Sequence, residues 1–132
     1  MAERLRESEP DDPEADYLYG VTLLRADRLD EAQEVLEGVI AGPAGLLAAE
    51  AHRSLGLTLS NREQYEAALE VLDRALTIRP DDAQAMELKG WAMARLGRCA
   101  DALPVFERAL EIDASRQGAA EGLAACRSWL GL

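Results

Sequence analysis

Apolar residues in this chain recur at helical rather than alternating spacing. Leu69, Leu72 and Leu76, and again Leu103, Phe106 and Leu110, fall three and four residues apart, which lines one face of an α-helix. The pattern then repeats over a longer distance. Gly56 to Gly90, Ala68 to Ala102, Leu72 to Phe106 and Ala75 to Ala109 are each offset by 34 residues. Upstream, Gly20, Ala32 and Leu36 precede Gly56, Ala68 and Leu72 by 36 residues, so the first unit is the same object with two residues inserted. Downstream, Gly90 to Ala124, Leu96 to Leu130 and Gly97 to Gly131 are again offset by 34. A period of this length denotes stacked helical hairpins, each of which leaves one face uncovered until its neighbour buries it.

Polar and breaker residues place the element ends. Asp12 as cap and Pro13 at the first helical position predict a helix over 13–26, and its partner runs over 30–41 until Gly42-Pro43-Ala44-Gly45 stops it. The two inserted residues fall in that loop, where they either lengthen the next helix at Leu46-Leu47 or tilt the first hairpin. The second hairpin spans 46–60 and 64–78, and Arg79-Pro80-Asp81-Asp82 is a stop followed by a cap. The third spans 83–96 and 101–113, with Gly97 as a left-handed C-terminal cap and Asp101 as the N-cap that keeps Pro104 in the first turn. A last helix over 117–130 repeats half the unit, its Leu123, Ala124 and Leu130 covering the open end while Glu121 and Arg127 face water. Seven helices are expected. Residues 1–11 read as a disordered acidic segment, followed by repeats over 13–48, 49–82 and 83–116 and the capping helix. Gly20, Gly56 and Gly90 sit inside helices at about 1 kcal/mol each, which predicts that a second backbone passes there too close for a side chain. Gly131, by contrast, reads as an exposed glycine that tolerates substitution.

The repeating unit resembles the tetratricopeptide repeat family. Its motif asks for a bulky residue, Leu-Gly, a bulky residue, Ala, an aromatic and a later Pro. The middle unit supplies His52, Leu55-Gly56, Leu59, Ala68, Leu72 and Pro80; the third supplies Met86, Lys89-Gly90, Met93, Ala102, Phe106 and Ala114; the first supplies Asp16, Tyr19-Gly20, Leu23, Ala32, Leu36 and Ala44. The first-position tryptophan is missing from every copy, and Lys89 stands where Leu is usual. The resemblance implies an all-α, right-handed superhelical solenoid of three hairpins plus a cap.

Composition narrows the class. A net charge of −11 disfavours polyanionic partners, because a nucleic-acid site needs a basic patch and an anionic membrane repels such a surface. No run approaches the length of a membrane span, and the first ten residues lack the apolar core of a signal peptide, so a cytoplasmic protein without membrane insertion is expected. Cys99 and Cys126 lie 27 residues apart without a CxxC, and His52 is the single imidazole. Neither a zinc site nor a disulfide is indicated, and both cysteines read as small buried hydrophobes. No phosphate loop, GxSxG or nucleophile–base pair is present. Carboxylates such as Glu66, Glu70 and Asp73 have the spacing of a solvated helix face. No enzyme and no cofactor is expected.

In proteins this chain resembles, the first helices of successive hairpins line a concave groove that holds an extended peptide or a helix. Four rows then face it, fixed by their distance from each marked glycine. Tyr17, Arg53 and Glu87 lie three before; Val21, Leu57 and Trp91 one after; Leu24, Ser60 and Ala94 four after; Arg25, Asn61 and Arg95 five after, with Ser128 and Trp129 continuing the rows on the cap. Arg25 and Arg95 have a second explanation in the helix dipole. Trp91 has the stronger case for binding, since tryptophan is enriched at interface hot spots, and is expected to be exposed in the free protein. Chaperone-binding members carry a clamp of Lys, Asn, Asn, Lys and Arg; the matching positions here are Tyr17, Val21, Ser54, Gln84 and Leu88, and none agrees. The expected role is that of a non-enzymatic adaptor or scaffold for a protein or peptide partner, monomeric or weakly self-associating. The alternatives are a dedicated chaperone of a secreted or assembling protein and a self-associating structural module.

Overall fold

The computed structural model describes residues 12–132, so the disordered segment expected over 1–11 lies outside the described residues. Among the described residues there are seven α-helices: α1 (Pro13–Arg25), α2 (Leu29–Ala41), α3 (Ala48–Asn61), α4 (Tyr65–Ile78), α5 (Ala83–Arg95), α6 (Cys99–Ile112) and α7 (Gln117–Trp129). Each packs on the next in chain order. The first helices α1, α3, α5 and α7 also touch one another in succession, whereas α2, α4 and α6 do not. The closer spacing of the first layer curves the stack and puts those helices on its concave side.

The ends of the first helices share one device. In α1, α3, α5 and α7 the chain turns through a left-handed residue, at Asp27, Glu63, Gly97 and Gly131, with φ of 62°, 61°, 79° and 76°. At α5 the amides of Gly97 and Arg98 donate to the carbonyls of Ala94 and Met93 at 3.0 and 2.9 Å, and the same pair of bonds recurs at the other three ends. This is a Schellman closure, which satisfies the last free carbonyls of each helix. Gly97 therefore caps as expected. Gly131 differs from expectation, because its positive φ makes any side chain there strained. Asp12 caps α1 by accepting from the amides of Glu14 and Ala15, and Asp82 caps α5 by accepting from Ala85 at 3.0 Å.

Two element ends depart from the sequence reading. The inserted residues form a separate 3₁₀ turn, Gly45–Leu47, ahead of α3. Helix α6 starts at Cys99, not Asp101, because the Schellman turn at Gly97 delivers the chain straight into helix with Arg98 as N-cap. Pro104 thus lies inside α6, beyond the first turn. The carbonyl four residues earlier, of Ala100, loses its helical donor, and both residues are exposed, so water can replace it.

The core runs along the hairpins as a row of large side chains seated on glycines. A Cβ at Gly20 would stand 2.8 Å from Leu36, one at Gly56 2.5 Å from Leu72, and one at Gly90 2.6 Å from Phe106. The close partner is a side-chain tip and not the second backbone, which corrects the sequence reading: each glycine seats the large apolar residue of its own hairpin. Leu36, Leu72 and Phe106 are all at 0% exposure, as are Ala32, Ala68 and Ala102 beneath them. Helix α7 closes the open end differently from expectation. Its buried residues are Ala119, Gly122 and Cys126, with Leu123 packed alongside, whereas Ala124 is exposed and Leu130 is 39% exposed. Glu121 and Arg127 do face water. Ion pairs follow the period too. Arg62–Asp30 at 2.9 Å recurs as Arg98–Glu66 at 2.8 Å, tying each second helix to the turn of the next hairpin. Lys89, at the position where Leu is usual, reaches Asp73 at 2.8 Å on the preceding helix.

Candidate functional site

The concave face carries two clefts, one over each end of the stack. Helices α1 and α3 form the first, of about 410 Å³. Tyr17, Val21, Leu24 and Arg25 enter it from α1, and Arg53, Leu57 and Asn61 from α3, so seven of the eleven residues selected by helical phase meet in one place. Ser54 and Gln84 complete its wall. Both occupy positions compared above with the chaperone clamp, and the comparison of residue types passed over their place in the groove. Val21, Leu24 and Leu57 are half-buried. The Tyr17 and Ser54 hydroxyls share a hydrogen bond at 3.3 Å across the α1–α3 seam.

The second cleft, of about 380 Å³, lies between α5 and α7. Trp91, Arg95 and Trp129 line it, together with Ala94, Ala125 and the Cys99–Cys126 pair. Trp129 is 77% exposed. Trp91 is not the free indole the sequence suggested. It is half-buried, its Nε1–H donates to the Gly118 carbonyl at 3.0 Å, and its ring meets Phe106 edge-on at 5.7 Å between centroids. The cause is on α7, where Gly118 and Gly122 stand one turn apart and present no side chain toward α5 and α6. That glycine pair was the overlooked signal. Glu87 lines neither cleft; it is held by Arg116 at 3.0 Å.

The row three before each glycine is therefore used internally. Arg53 donates to Asp82 at 2.7 Å, and Glu87 receives Arg116 one repeat later, so the same two positions carry one ion pair with its signs exchanged. His52 likewise serves structure, its Nδ1 donating to the Ala48 carbonyl at 2.7 Å. The row five after the glycines is different: Arg25, Asn61 and Arg95 are exposed, and neither arginine forms an ion pair or side-chain hydrogen bond among the described residues.

The cysteines correct the sequence reading. Cys99 and Cys126 are joined in a disulfide, with Cα atoms 5.0 Å apart, because α6 and α7 run antiparallel about the turn at 113–116. At that turn Asp113 accepts from the hydroxyl and amide of Ser115 at 2.6 and 3.0 Å, and these bonds hold its pKa below the ordinary carboxylate value. Among the described residues no group of three or more His, Cys, Asp and Glu is placed to hold a metal ion, and no helix is long and apolar enough to cross a membrane.

A family model described as tetratricopeptide repeat matches residues 1–45, 30–82 and 53–119. No curated protein matches the chain by sequence. Among solved structures, MamA superposes with a TM-score of 0.90 at 21% identity, over 99% of this chain and 75% of that one. MamA 41-end from Desulfovibrio magneticus RS-1 gives 0.88 at 22% identity, over 98% and 72%. The first TPR of Spaghetti (RPAP3) bound to the HSP90 peptide SRMEEVD gives 0.83 at 16% identity, over 91% and 94%. At these identities the likeness is one of fold.

Proposed function

Since the chain belongs to the tetratricopeptide repeat family, shown by a family model that spans most of its length, we propose that it is a non-enzymatic adaptor holding a segment of a partner protein in its concave groove. The observation that carries this reading is the first cleft. Seven residues chosen by helical phase line one cavity there, with three half-buried aliphatic side chains at its wall and arginine at its edge. A polar rim around an apolar centre is the anatomy of a protein-binding surface. The peptide seen with the RPAP3 domain belongs to that protein. Tyr17, Val21, Ser54, Gln84 and Leu88 do not reproduce a carboxylate clamp, so this groove selects a different kind of segment. Trp91 contributes the exposed part of its ring to the second cleft, next to Trp129.

Affinity capture from native lysate tests the reading, comparing the wild type with Leu57→Asp after circular dichroism has shown both to be folded. A partner held by the wild type and lost from the variant supports the groove. One retained equally by the variant places binding elsewhere. A second reading, self-association through the end of the stack, is favoured by Trp129 at 77% and Leu132 at 79% exposure. Sedimentation over a concentration series decides it, since a species that stays monomeric at high concentration removes that reading.

A further inference from the structure

The sequence holds 25 acidic against 14 basic residues, yet neither concave cleft has an Asp or Glu in its wall. Each instead has an exposed arginine, Arg25 in the first and Arg95 in the second. Nine of the twelve Arg and Lys side chains among the described residues are tied to carboxylates, and Arg25 and Arg95 are two of the three that are not. They are also the same position of the repeat. Arg25, Asn61 and Arg95 succeed one another at offsets of 36 and 34 residues, so the three side chains form one row along the groove. The last carbonyls of α1 and α5 are already satisfied by Schellman amides, which leaves both guanidinium groups to a group outside the chain.

On the groove reading given above, we propose that the partner segment is acidic and amphipathic. Its carboxylates sit against Arg25 and Arg95, its amide or hydroxyl groups against Asn61, and its apolar side chains in the two clefts. The repeat sets the spacing. Neighbouring helices pack about 10 Å apart, so Arg25 and Arg95, two helices apart on the concave layer, are separated by roughly 20 Å. An extended segment covers that in about six residues, and a helix in about thirteen. The surrounding negative charge makes this selective. At physiological ionic strength screening acts over about 8 Å, so a carboxylate gains only where it reaches one of the two arginines, and one placed elsewhere meets like charge.

Selection of a displayed library of random 16-residue peptides on the folded chain tests this, followed by anisotropy titration of the enriched peptides. The expected winners are net negative, with two acidic positions about six or about thirteen residues apart and apolar residues between. Arg25→Glu or Arg95→Glu should weaken them at least tenfold, affinity should fall with added salt, and replacing the matching peptide acid by Lys should restore binding to the charge-reversed variant. Winners that are neutral or basic, or that bind both arginine variants undiminished while losing Leu57→Asp, would overturn the acidic partner and leave the groove reading standing. Binding indifferent to Leu57→Asp, or no enrichment at all, would remove both. A dimer dissociated by Arg95→Glu, or an affinity that rises when residues 1–11 are deleted, would overturn the proposal by giving the groove to a second copy or to that segment.

Discussion

Two glycine-to-alanine substitutions, chemically identical and both inside helices, should move stability in opposite directions. In Gly122→Ala the added methyl would overlap the ring of Phe106. That ring is at 0% exposure, is met from the other side by Gly90, and has Trp91 edge-on, so it has nowhere to yield. Overpacking of this kind costs about 1–3 kcal/mol, against a gain of about 1 kcal/mol in helix propensity. The net effect should be a loss of about 1 kcal/mol. In Gly38→Ala nothing lies within 4 Å of the new methyl, so the propensity gain stands alone and the variant should be about 1 kcal/mol more stable. At about 3–5 °C per kcal/mol for a domain of this size, the two melting temperatures should differ by roughly 6–10 °C. Urea and thermal unfolding followed by circular dichroism at the helical band measure both. If Gly122→Ala stabilises as much as Gly38→Ala, α7 is not seated on Phe106 and the account of the cap is wrong.

Three further outcomes follow from the same structure. Glu63 holds a left-handed conformation that disfavours any side chain, so Glu63→Gly should raise stability by up to about 1 kcal/mol while Gly97→Ala lowers it by about 1–2 kcal/mol, as urea midpoints would show; a reversal would mean these turns are not Schellman closures. Reducing the Cys99–Cys126 disulfide, which spans 27 residues, should remove about 3–4 kcal/mol of loop-closure stabilisation, seen as a lower melting point with reductant that Cys126→Ser reproduces without it. Removing residues 117–132 should expose Phe106, Leu103 and Leu110; even a few hundred Å² at about 25 cal/mol per Å² is several kcal/mol, so the shortened chain should aggregate or melt far lower, and an unchanged monomer would show that α7 does not cap.

The 34-residue offset located every hairpin, because glycine, alanine and the large apolar residue are forced by one repeated contact. Helical phase then found the first cleft, since Tyr17, Val21, Leu24 and Leu57 depend only on the angle around α1 and α3. What periodicity could not carry is what breaks it. The cap is half a repeat, and matching Gly90 to Ala124 drew attention from Gly118 and Gly122, which shape the surface under Trp91. The cysteines lie in the one hairpin formed across a repeat boundary, where antiparallel pairing about residues 113–116 brings Cys99 near Cys126 although their sequence spacing matches no motif. The start of α6 was misplaced for a local reason: a proline suggested a later cap, but the Schellman turn before it fixes the helix start first.

The claim at the centre of this account is that a partner occupies the concave groove. Methyl nuclear magnetic resonance during titration with the captured partner segment tests it most directly, because Val21, Leu24 and Leu57 report from the first cleft and Ile78, 51% exposed at the end of α4, reports from the other layer. The account predicts saturable shifts at the three groove residues and none at Ile78. Shifts at Ile78 with Val21, Leu24 and Leu57 unmoved would contradict it.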